Sequence, residues 1–326
     1  MSTHTKTDLE RQASRSTEGA SMEGRTCIVC GSRESIAFLS APDRYHGRRD
    51  MYQLVRCRSC SLVWQENPPR PDQMFEHYGA DYDRSVAAAG EDRDRWRGRW
   101  EVLSQYKSGG IILDLGCSAG GFLAGLDNSW TRYGIEMSQE VADKAQQKAG
   151  AKVFVGDILD APFPQASFDA ITCFHVMEHM YQPHEIFKRV AAWLKPEGIF
   201  YMMVPNIDSA GCRIFQSYWY ALELPRHLFH FSPKSIRALA NSVGLEEISI
   251  TTDREVFIES STRYILDDLL HKVGIDRAPL AKASRPGILF RVVRKGFRLT
   301  ALPVLNVFAS LAGDGESVHA ILRKPS

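Results

Sequence analysis

A short run of glycines directly after an apolar segment constrains the fold of this chain more than any other feature. Residues 111–115 are apolar apart from Asp114, as in a strand that is buried on both faces of a parallel sheet. Gly116 and Gly120 follow, and glycine permits both a tight turn and the close approach of a ligand to the backbone. The apolar residues 122–126 then predict the start of a helix. A strand, a glycine turn and a helix in this order are typical of a nucleotide-type cofactor site.

The carboxylate inside this motif indicates which cofactor to expect. The spacing Asp114-x-Gly116-x-x-x-Gly120 differs from the dinucleotide pattern Gly-x-Gly-x-x-Gly. A carboxylate aimed at the turn would repel a pyrophosphate and attract a cation. A cofactor that lacks phosphate and carries a positive centre therefore fits better. S-adenosylmethionine (SAM) meets both conditions, since it has an amino group and a sulfonium.

Strands and helices alternate after the glycine turn, which predicts a parallel sheet that binds ligands at the carboxyl ends of its strands. Glu136 ends the predicted strand at 132–135, about 20 residues beyond the turn, where a carboxylate commonly binds a ribose diol. Asp157 and Ile158 follow the predicted strand at 153–155, in position for an adenine edge and ring. Further strands are predicted at 168–174, 199–204, 247–252 and 317–322.

The sequence resembles the class I SAM-dependent methyltransferases at four motifs in the expected order. These motifs lie around Asp114, Glu136 and Asp157 and at the turn 194–198. The resemblance extends over about residues 111–252 and implies an α/β fold with a Rossmann-like, seven-stranded sheet. It assigns Asp114 and the glycines to the amino-acid part of SAM, Glu136 to the ribose and Asp157 to the adenine. The activity that it implies is methyl transfer from SAM.

Two cysteine pairs near the N-terminus predict a metal site. Cys27-Ile-Val-Cys30 and Cys57-Arg-Ser-Cys60 are separated by residues 31–56, which is typical of a four-thiolate zinc ribbon. The alternative is four free, buried cysteines. Four cysteines would close the coordination shell, so the Zn²⁺ ion is expected to be structural rather than catalytic.

A histidine after the fourth strand of the alternating region is the first candidate base. His179 lies where the methyl donor and the acceptor should meet, and an imidazole suits general base catalysis near neutral pH. Alternatively, Glu178 and His179 shape the loop and support the cofactor. His175, Glu178 and His179 with a later histidine also resemble the metal site of some metal-dependent O-methyltransferases, although His175 replaces their first glutamate.

A second candidate base lies in the segment 218–232, which is dense in aromatic and imidazole side chains and typical of a pocket wall. Together with the ribbon, this segment resembles zinc-containing sugar methyltransferases of antibiotic and cell-surface glycan pathways. Their motif has Glu-His where this chain has Arg226-His227. The resemblance makes His227 a candidate base and a sugar or glycoside hydroxyl the expected acceptor. The missing glutamate argues against C-methylation of a keto-sugar.

The chain divides into four predicted parts. The last of them contains a helical insertion at about 255–313. Within it, the basic and apolar residues 287–311 suit a helix that contacts a membrane surface or a lipid-linked substrate, or else one that caps the domain or forms a dimer contact. The parts are a polar, disordered tail (1–25), a zinc ribbon (26–70), a helical bridge (71–109) and a methyltransferase domain (110–326).

Composition narrows the functional alternatives. The formal net charge of +1 over 326 residues gives no electrostatic reason to expect a nucleic-acid partner. No apolar run approaches the roughly 20 residues that span a bilayer, and no secretory signal is recognisable, so a cytoplasmic location is expected. Two rivals to a small-molecule methyltransferase stay open. One is an RNA methyltransferase that binds nucleic acid through the ribbon, and the other is a SAM-binding scaffold without turnover.

Overall fold

A computed structural model of the protein describes residues 26–78, 93–253, 257–272 and 315–326, and the single residues 274, 296 and 300. The predicted tail at 1–25 lies outside the described residues, as does all of the segment 287–311 except two positions. Among the described residues, no helix is both long enough and apolar enough to cross a membrane.

Eleven strands and seven α-helices form the described part of the chain, numbered in chain order. The strands are β1 (Ser35–Pro42), β2 (Met51–Cys57), β3 (Val63–Gln65), β4 (Gly110–Leu115), β5 (Trp130–Glu136), β6 (Lys152–Val155), β7 (Phe168–Phe174), β8 (Leu194–Pro205), β9 (Phe229–His230), β10 (Glu246–Asp253) and β11 (Ser317–Arg323). The helices are α1 (Pro71–Met74), α2 (Arg93–Ser104), α3 (Gln139–Ala149), α4 (Pro183–Trp193), α5 (Ala210–Phe215), α6 (Pro233–Ser242) and α7 (Ile258–Lys272).

The larger sheet has seven strands in the order β10-β11-β8-β7-β4-β5-β6. Strands β8, β7, β4, β5 and β6 run parallel, whereas β11 is antiparallel to both β8 and β10. Central strands such as β4 are buried on both faces, which explains their nearly continuous apolar sequence. The sheet confirms the predicted Rossmann-like, seven-stranded α/β class, including a last strand at the predicted position 317–322.

The predicted helix at 122–126 is wrong, since the structure has only a short 3₁₀ turn at Leu123–Gly125. Phe122 and Leu123 are buried in the core, so their apolar character reflects packing rather than a helical face. Trp100 lies against Gly125, and its indole N–H donates to the carbonyl of Phe122 at 2.9 Å. A segment this short does not sustain an α-helix without such a face.

The smaller sheet joins the N-terminal ribbon to the methyltransferase part of the chain. Its four strands follow the order β1-β2-β3-β9, and all neighbours are antiparallel. Strand β9 comes from the predicted pocket segment 218–232, and it pairs Val63 with His230 and Trp64 with Phe229. The ribbon is therefore built into the wall of the predicted pocket rather than tethered beside it.

Helix α7, the described part of the predicted insertion, packs on the same pocket segment. Tyr264 is buried and stacks on Tyr220, with ring centroids 5.9 Å apart. Asp268 accepts hydrogen bonds from Arg44 of the ribbon at 2.9 Å and from the hydroxyl of Tyr218 at 2.8 Å. The ribbon, the pocket segment and α7 thus contact one another.

Candidate active site

Three carboxylates lie in a row at one edge of the larger sheet. Asp114 is near the end of β4, Glu136 ends β5, and Asp157 follows β6 after one glycine. Because β4, β5 and β6 are adjacent and parallel, their carboxyl ends meet at the same edge. The structure therefore brings together the residues that the sequence assigns to the amino-acid, ribose and adenine parts of SAM.

Asp114 is a buried acid whose charge is poorly compensated. The residue is only 4% exposed, and its Oδ1 accepts a hydrogen bond from the hydroxyl of Thr172 at 2.7 Å. Burial raises the pKa of Asp114 to about 7, against the opposing effects of the Thr172 hydrogen bond and the charge of Arg99. A bound cation would favour the ionised form, so this carboxylate suits the ammonium or sulfonium of SAM.

Glu136 ties the glycine turn to the start of α3. One carboxylate oxygen accepts from the backbone N–H of Ser118 at 3.1 Å and the other from that of Ser138 at 3.0 Å. Ser138 is the N-cap residue of α3, but its side chain makes no capping hydrogen bond. Each carboxylate oxygen has a second lone pair, so Glu136 can also accept from a ribose hydroxyl.

Asp157 and Ile158 form a small corner beyond β6. Oδ1 of Asp157 accepts from the backbone N–H of Leu159 at 2.8 Å, which begins a 3₁₀ turn. Ile158 is buried beside it. A carboxylate next to an apolar side chain is suited to the amino edge and the ring of adenine, as the sequence predicts.

Packing against the protein, more than ligand access, explains the two glycines of the turn. Gly116 and Gly120 have positive φ angles of 68° and 74°. A Cβ on Gly116 would lie 2.6 Å from Cγ2 of Val176, and one on Gly120 would lie 2.9 Å from Cα of Ala145. The glycines therefore let the turn approach the segment after β7 and helix α3, and this places the carboxylates.

A pair of glycine variants separates backbone strain from this close packing. Gly150 also has a positive φ, of 61°, but a Cβ there would meet no atom within 4 Å. We expect Gly150→Ala to lower the free energy of unfolding by about 1 kcal/mol, because an alanine in this conformation is strained. Gly116→Ala should lower it by at least about twice as much, because it adds the contact with Val176. Urea unfolding measures both, and equal losses would contradict the packing explanation.

Two histidines contact each other edge to face at the same edge of the sheet. His179 lies in the turn after β7, and His227 precedes β9; their ring centroids are 4.6 Å apart, at 78°. Nδ1 of His227 is 2.9 Å from the carbonyl of Ala221, and Nδ1 of His179 is 3.1 Å from that of Arg226. Since a carbonyl only accepts, both Nδ1 atoms carry the proton in the neutral rings. Both Nε2 atoms then have a lone pair that can accept a proton.

Burial keeps His227, the more buried of the two histidines, neutral. The pKa of His227 is lowered well below its ordinary value, first by burial and then by the proximity of His179 and His230. Nε2 of His227 lies 3.6 Å from a carboxylate oxygen of Glu223, which would stabilise the imidazolium once a proton arrives. His230 is buried behind the pair, and its Nε2 contacts the carbonyl of Leu222 at 3.0 Å. His230 thus has a packing role.

Glu178 adjoins the histidine pair. The atoms of Glu178, His179 and His227 that could bind a metal lie within 4.8 Å of one another, close enough to hold one cation. Within the part of the chain that the structure describes, His175 is not a member of this group; its Nδ1 instead lies 3.3 Å from Oε1 of Glu178. The arrangement expected from metal-dependent O-methyltransferases is therefore present only in part.

Arg226 anchors the pocket segment, although the sequence marks it only as a departure from a Glu-His motif. It is 0% exposed, and its Nη1 lies 3.4 Å from Oδ2 of Asp43 in the ribbon and 3.0 Å from the carbonyl of His77. Burial alone would raise the pKa of Asp43, but hydrogen bonds from His46 and His77 and the charge of Arg226 lower it overall. No local sequence signal links Asp43 to Arg226.

The four predicted metal ligands converge in the ribbon. Their Sγ atoms all lie within 4.8 Å of one another, and none of these cysteines forms a disulfide. A tetrahedral zinc site with Zn–S bonds of about 2.3 Å separates its sulfurs by about 3.8 Å, so the group has the size of such a site. The pairs Cys27–Cys60 and Cys30–Cys57 are each 3.5 Å apart.

Both cysteine pairs have the same local geometry. The N–H of Gly31 donates to the carbonyl of Cys27 at 2.8 Å, and that of Ser61 donates to the carbonyl of Cys57 at 3.1 Å. Gly31 and Ser61 both adopt positive φ angles, of 70° and 66°. Ser61 thus takes the place that Gly31 has after the first pair.

Comparison with known proteins identifies the class of the central domain. Residues 89–250, about half of the chain, match the model of the methyltransferase domain family. This part of the chain is a SAM-dependent methyltransferase domain of class I. The matched residues include the parallel strands β4 to β8 and all three carboxylates.

Curated relatives match a part of the chain. An uncharacterized methyltransferase of Geobacillus sp. (strain WCH70) is 31% identical over 113 residues, which are 33% of this chain and 53% of the relative. The ubiquinone biosynthesis O-methyltransferase of Coxiella burnetii is 27% identical over 144 residues, 42% of this chain and 59% of the relative. The chain thus spans little more than half the length of these relatives.

Solved structures support the fold alone. A chain in the complex between the Haloferax volcanii Trm112 methyltransferase activator and a methyltransferase is 18% identical, with a TM-score of 0.50. It aligns with 74% of this chain over 96% of its own length.

Proposed function

We propose that this protein transfers the methyl group of SAM to a hydroxyl oxygen of a small molecule, in the first instance a sugar or glycoside. The observation that carries the proposal is the contact between His179 and His227 at the same sheet edge as the three carboxylates. The carboxylate row suits SAM, the methyl donor. The two imidazole lone pairs suit a methyl acceptor whose hydroxyl must lose a proton.

Each side chain has a role in this reaction. Asp114, Glu136 and Asp157 bind and orient SAM, whose sulfonium supplies an electrophilic methyl group. His227 or His179 accepts the proton of the acceptor hydroxyl at Nε2 as the new C–O bond forms and the S–C bond breaks. S-adenosylhomocysteine leaves with the electron pair of that bond. Because the methyl group is already activated, catalysis is chiefly positioning.

The acceptor class is supported by the wall around the histidines. The ribbon and the pocket segment together resemble sugar methyltransferases, which favours a sugar hydroxyl. A phenolic hydroxyl is the second candidate, favoured by the stacked Tyr220–Tyr264 pair and by the relative in ubiquinone biosynthesis. A lipid-linked acceptor, a peripheral membrane contact through residues 287–311 and a cytoplasmic location are further proposals that follow from the sequence.

The experiment that separates these acceptors uses methyl-labelled SAM. The protein is incubated with nucleotide sugars and glycosides in one set and with catechols and hydroxybenzoates in another. A folded RNA serves as the third. Label in the first set supports the proposal, and label only in the second assigns a phenol methyltransferase. Label in RNA, with binding that falls steeply with salt, would replace both.

We further propose that Cys27, Cys30, Cys57 and Cys60 hold a structural Zn²⁺ ion. Elemental analysis of protein purified without added metal should find about one zinc per chain. Cys60→Ser should lose that zinc and lower the melting temperature by on the order of 10 °C, because zinc binding contributes directly to folding. Cys212→Ser, at a buried cysteine outside the group, is the matched control and should keep the zinc. Zinc-free wild-type protein that melts normally would refute the proposal.

A further inference from the structure

We infer that the N-terminal ribbon positions the candidate base, with Gln65 as the positioning residue for His227. This inference rests on the proposed function insofar as it concerns turnover, but the placement of His227 can be measured without it. The ribbon would then be a part of the catalytic architecture rather than a separate binding module.

The backbone of the pocket segment is held between the ribbon and the histidine turn. The N–H of Gln65 donates to the carbonyl of Leu228 at 3.1 Å, and the antiparallel β3–β9 pairing continues this contact from Trp64 opposite Phe229. On its other side, the N–H of Leu228 donates to the carbonyl of Glu178 at 2.8 Å. Leu228 therefore connects the ribbon to the residue that precedes His179.

The side chain of Gln65 binds the backbone carbonyls of the two residues that flank Arg226. Gln65 is 0% exposed, and its Nε2 donates to the carbonyl of Pro225 at 2.8 Å and to that of His227 at 2.7 Å. Carbonyls only accept, so the amide must present its NH₂ group to them. One bond fixes the carbonyl of His227 itself and the other fixes that of Pro225, two residues earlier, so together they hold the backbone from which the His227 side chain projects.

The remaining oxygen of this amide shows that packing alone does not explain a glutamine at this position. Oε1 of Gln65 is buried, and it has no hydrogen-bond partner among the described residues. A buried acceptor without a partner is unfavourable, and an apolar side chain of similar size would avoid it. The glutamine is therefore explained by the two bonds that its NH₂ group donates.

The side chain of Arg226 provides a second anchor in the same ribbon. Its guanidinium enters the ribbon and pairs with Asp43, and both residues are fully buried. Gln65 thus holds the backbone of the segment from Pro225 to Leu228, and Asp43 holds the side chain of Arg226 in that segment. Displacements of about 1 Å in an active site can cost about 100-fold in rate, so a double anchor next to the base is consequential.

Two of the four cysteines directly precede the strand that carries Gln65. Cys57 ends β2, and its N–H donates to the carbonyl of Leu62 at 2.8 Å, which closes the turn into β3. Gln65 is the last residue of that strand, five positions beyond Cys60. The turn that carries Cys57 and Cys60 therefore leads directly into the strand that carries the positioning residue.

The test replaces Gln65 with methionine, which keeps the shape of the side chain and removes both donors. We expect kcat to fall by about 10- to 100-fold while the dissociation constant for SAM stays within about twofold. In protein with labelled histidines, the NMR signals of the His227 imidazole should shift or broaden. Gln53→Met, at an exposed glutamine in β2 of the same ribbon, is the matched control and should change none of these.

Asp43→Asn is a second, independent variant that tests the other anchor. It loosens the Arg226 anchor without changing size, and it should displace the same His227 signals. Unchanged His227 signals in both variants would overturn the inference, as would a loss of SAM binding in proportion to the loss of kcat. Displaced signals in a protein that methylates none of the acceptors would uphold the positioning role and overturn the proposed function instead.

Discussion

Replacing His227 with alanine is expected to lower kcat for methyl transfer by about 10²- to 10⁴-fold, the usual effect of removing a general base. The affinity for SAM should stay within about twofold, because His227 lies on the acceptor side. Single-turnover transfer of labelled methyl groups measures the first quantity and calorimetry the second. His179→Ala is made in parallel, since the geometry leaves either imidazole able to accept the proton.

The control for this experiment is His184→Ala, a partly exposed histidine in α4. It should retain full transfer.

The pH dependence gives an independent check. Because burial lowers the pKa of His227 well below its ordinary value, the base form is present throughout the neutral range. At saturating SAM, kcat should therefore begin to decrease only at a pH well below 6.5, the ordinary pKa of histidine. Full transfer by both His227→Ala and His179→Ala would contradict the assignment of a histidine base.

Replacing Asp114 with asparagine is expected to weaken SAM binding by about 10- to 100-fold at pH 8, the cost of losing one hydrogen bond to a charged group. In the wild-type protein the affinity for SAM should fall as the pH drops through about 7, because Asp114 then becomes protonated. The asparagine variant should lose this pH dependence. Calorimetric titrations between about pH 6 and pH 8 measure both effects.

The same variant has an opposite effect on stability. Without SAM, the folded protein keeps a proton on Asp114 that the unfolded chain releases between its ordinary pKa and about 7. Rising pH therefore destabilises the folded state through this window. Asp114→Asn should thus melt at a higher temperature than the wild type at about pH 8, and Asp143→Asn, at an exposed site, should not. Weaker SAM binding together with unchanged melting would show that Asp114 is ionised without its ligand.

Local patterns were sufficient to predict the larger sheet. The alternation of strands and helices placed Glu136 and Asp157 at strand ends, and parallel strands necessarily bring such ends together. The cysteine spacing was equally informative, because two short knuckles need no long-range contact to be recognised. Asp114 required one more step, since only its position inside the glycine motif distinguished a cationic ligand from a phosphate.

Contacts between distant segments were not predictable from the same patterns. Strand β9 is only Phe229–His230, too short for any alternation, so its pairing with the ribbon has no sequence signal. The buried pair Asp43–Arg226 joins two segments whose charges resemble ordinary surface residues. The apolar residues at 122–126 were misleading because a buried 3₁₀ turn and a helix start share the same short pattern.

The carboxylate row and the histidine pair should act together as one methyltransferase site. The most direct measurement is the formation of S-adenosylhomocysteine from SAM in the presence of the acceptor panel, with the methylated product identified by mass. We predict acceptor-dependent formation of one S-adenosylhomocysteine per methylated hydroxyl, abolished in Asp114→Asn/His227→Ala. Tight binding of SAM with no transfer to any sugar, phenol or RNA would contradict this assignment and identify a SAM-binding scaffold.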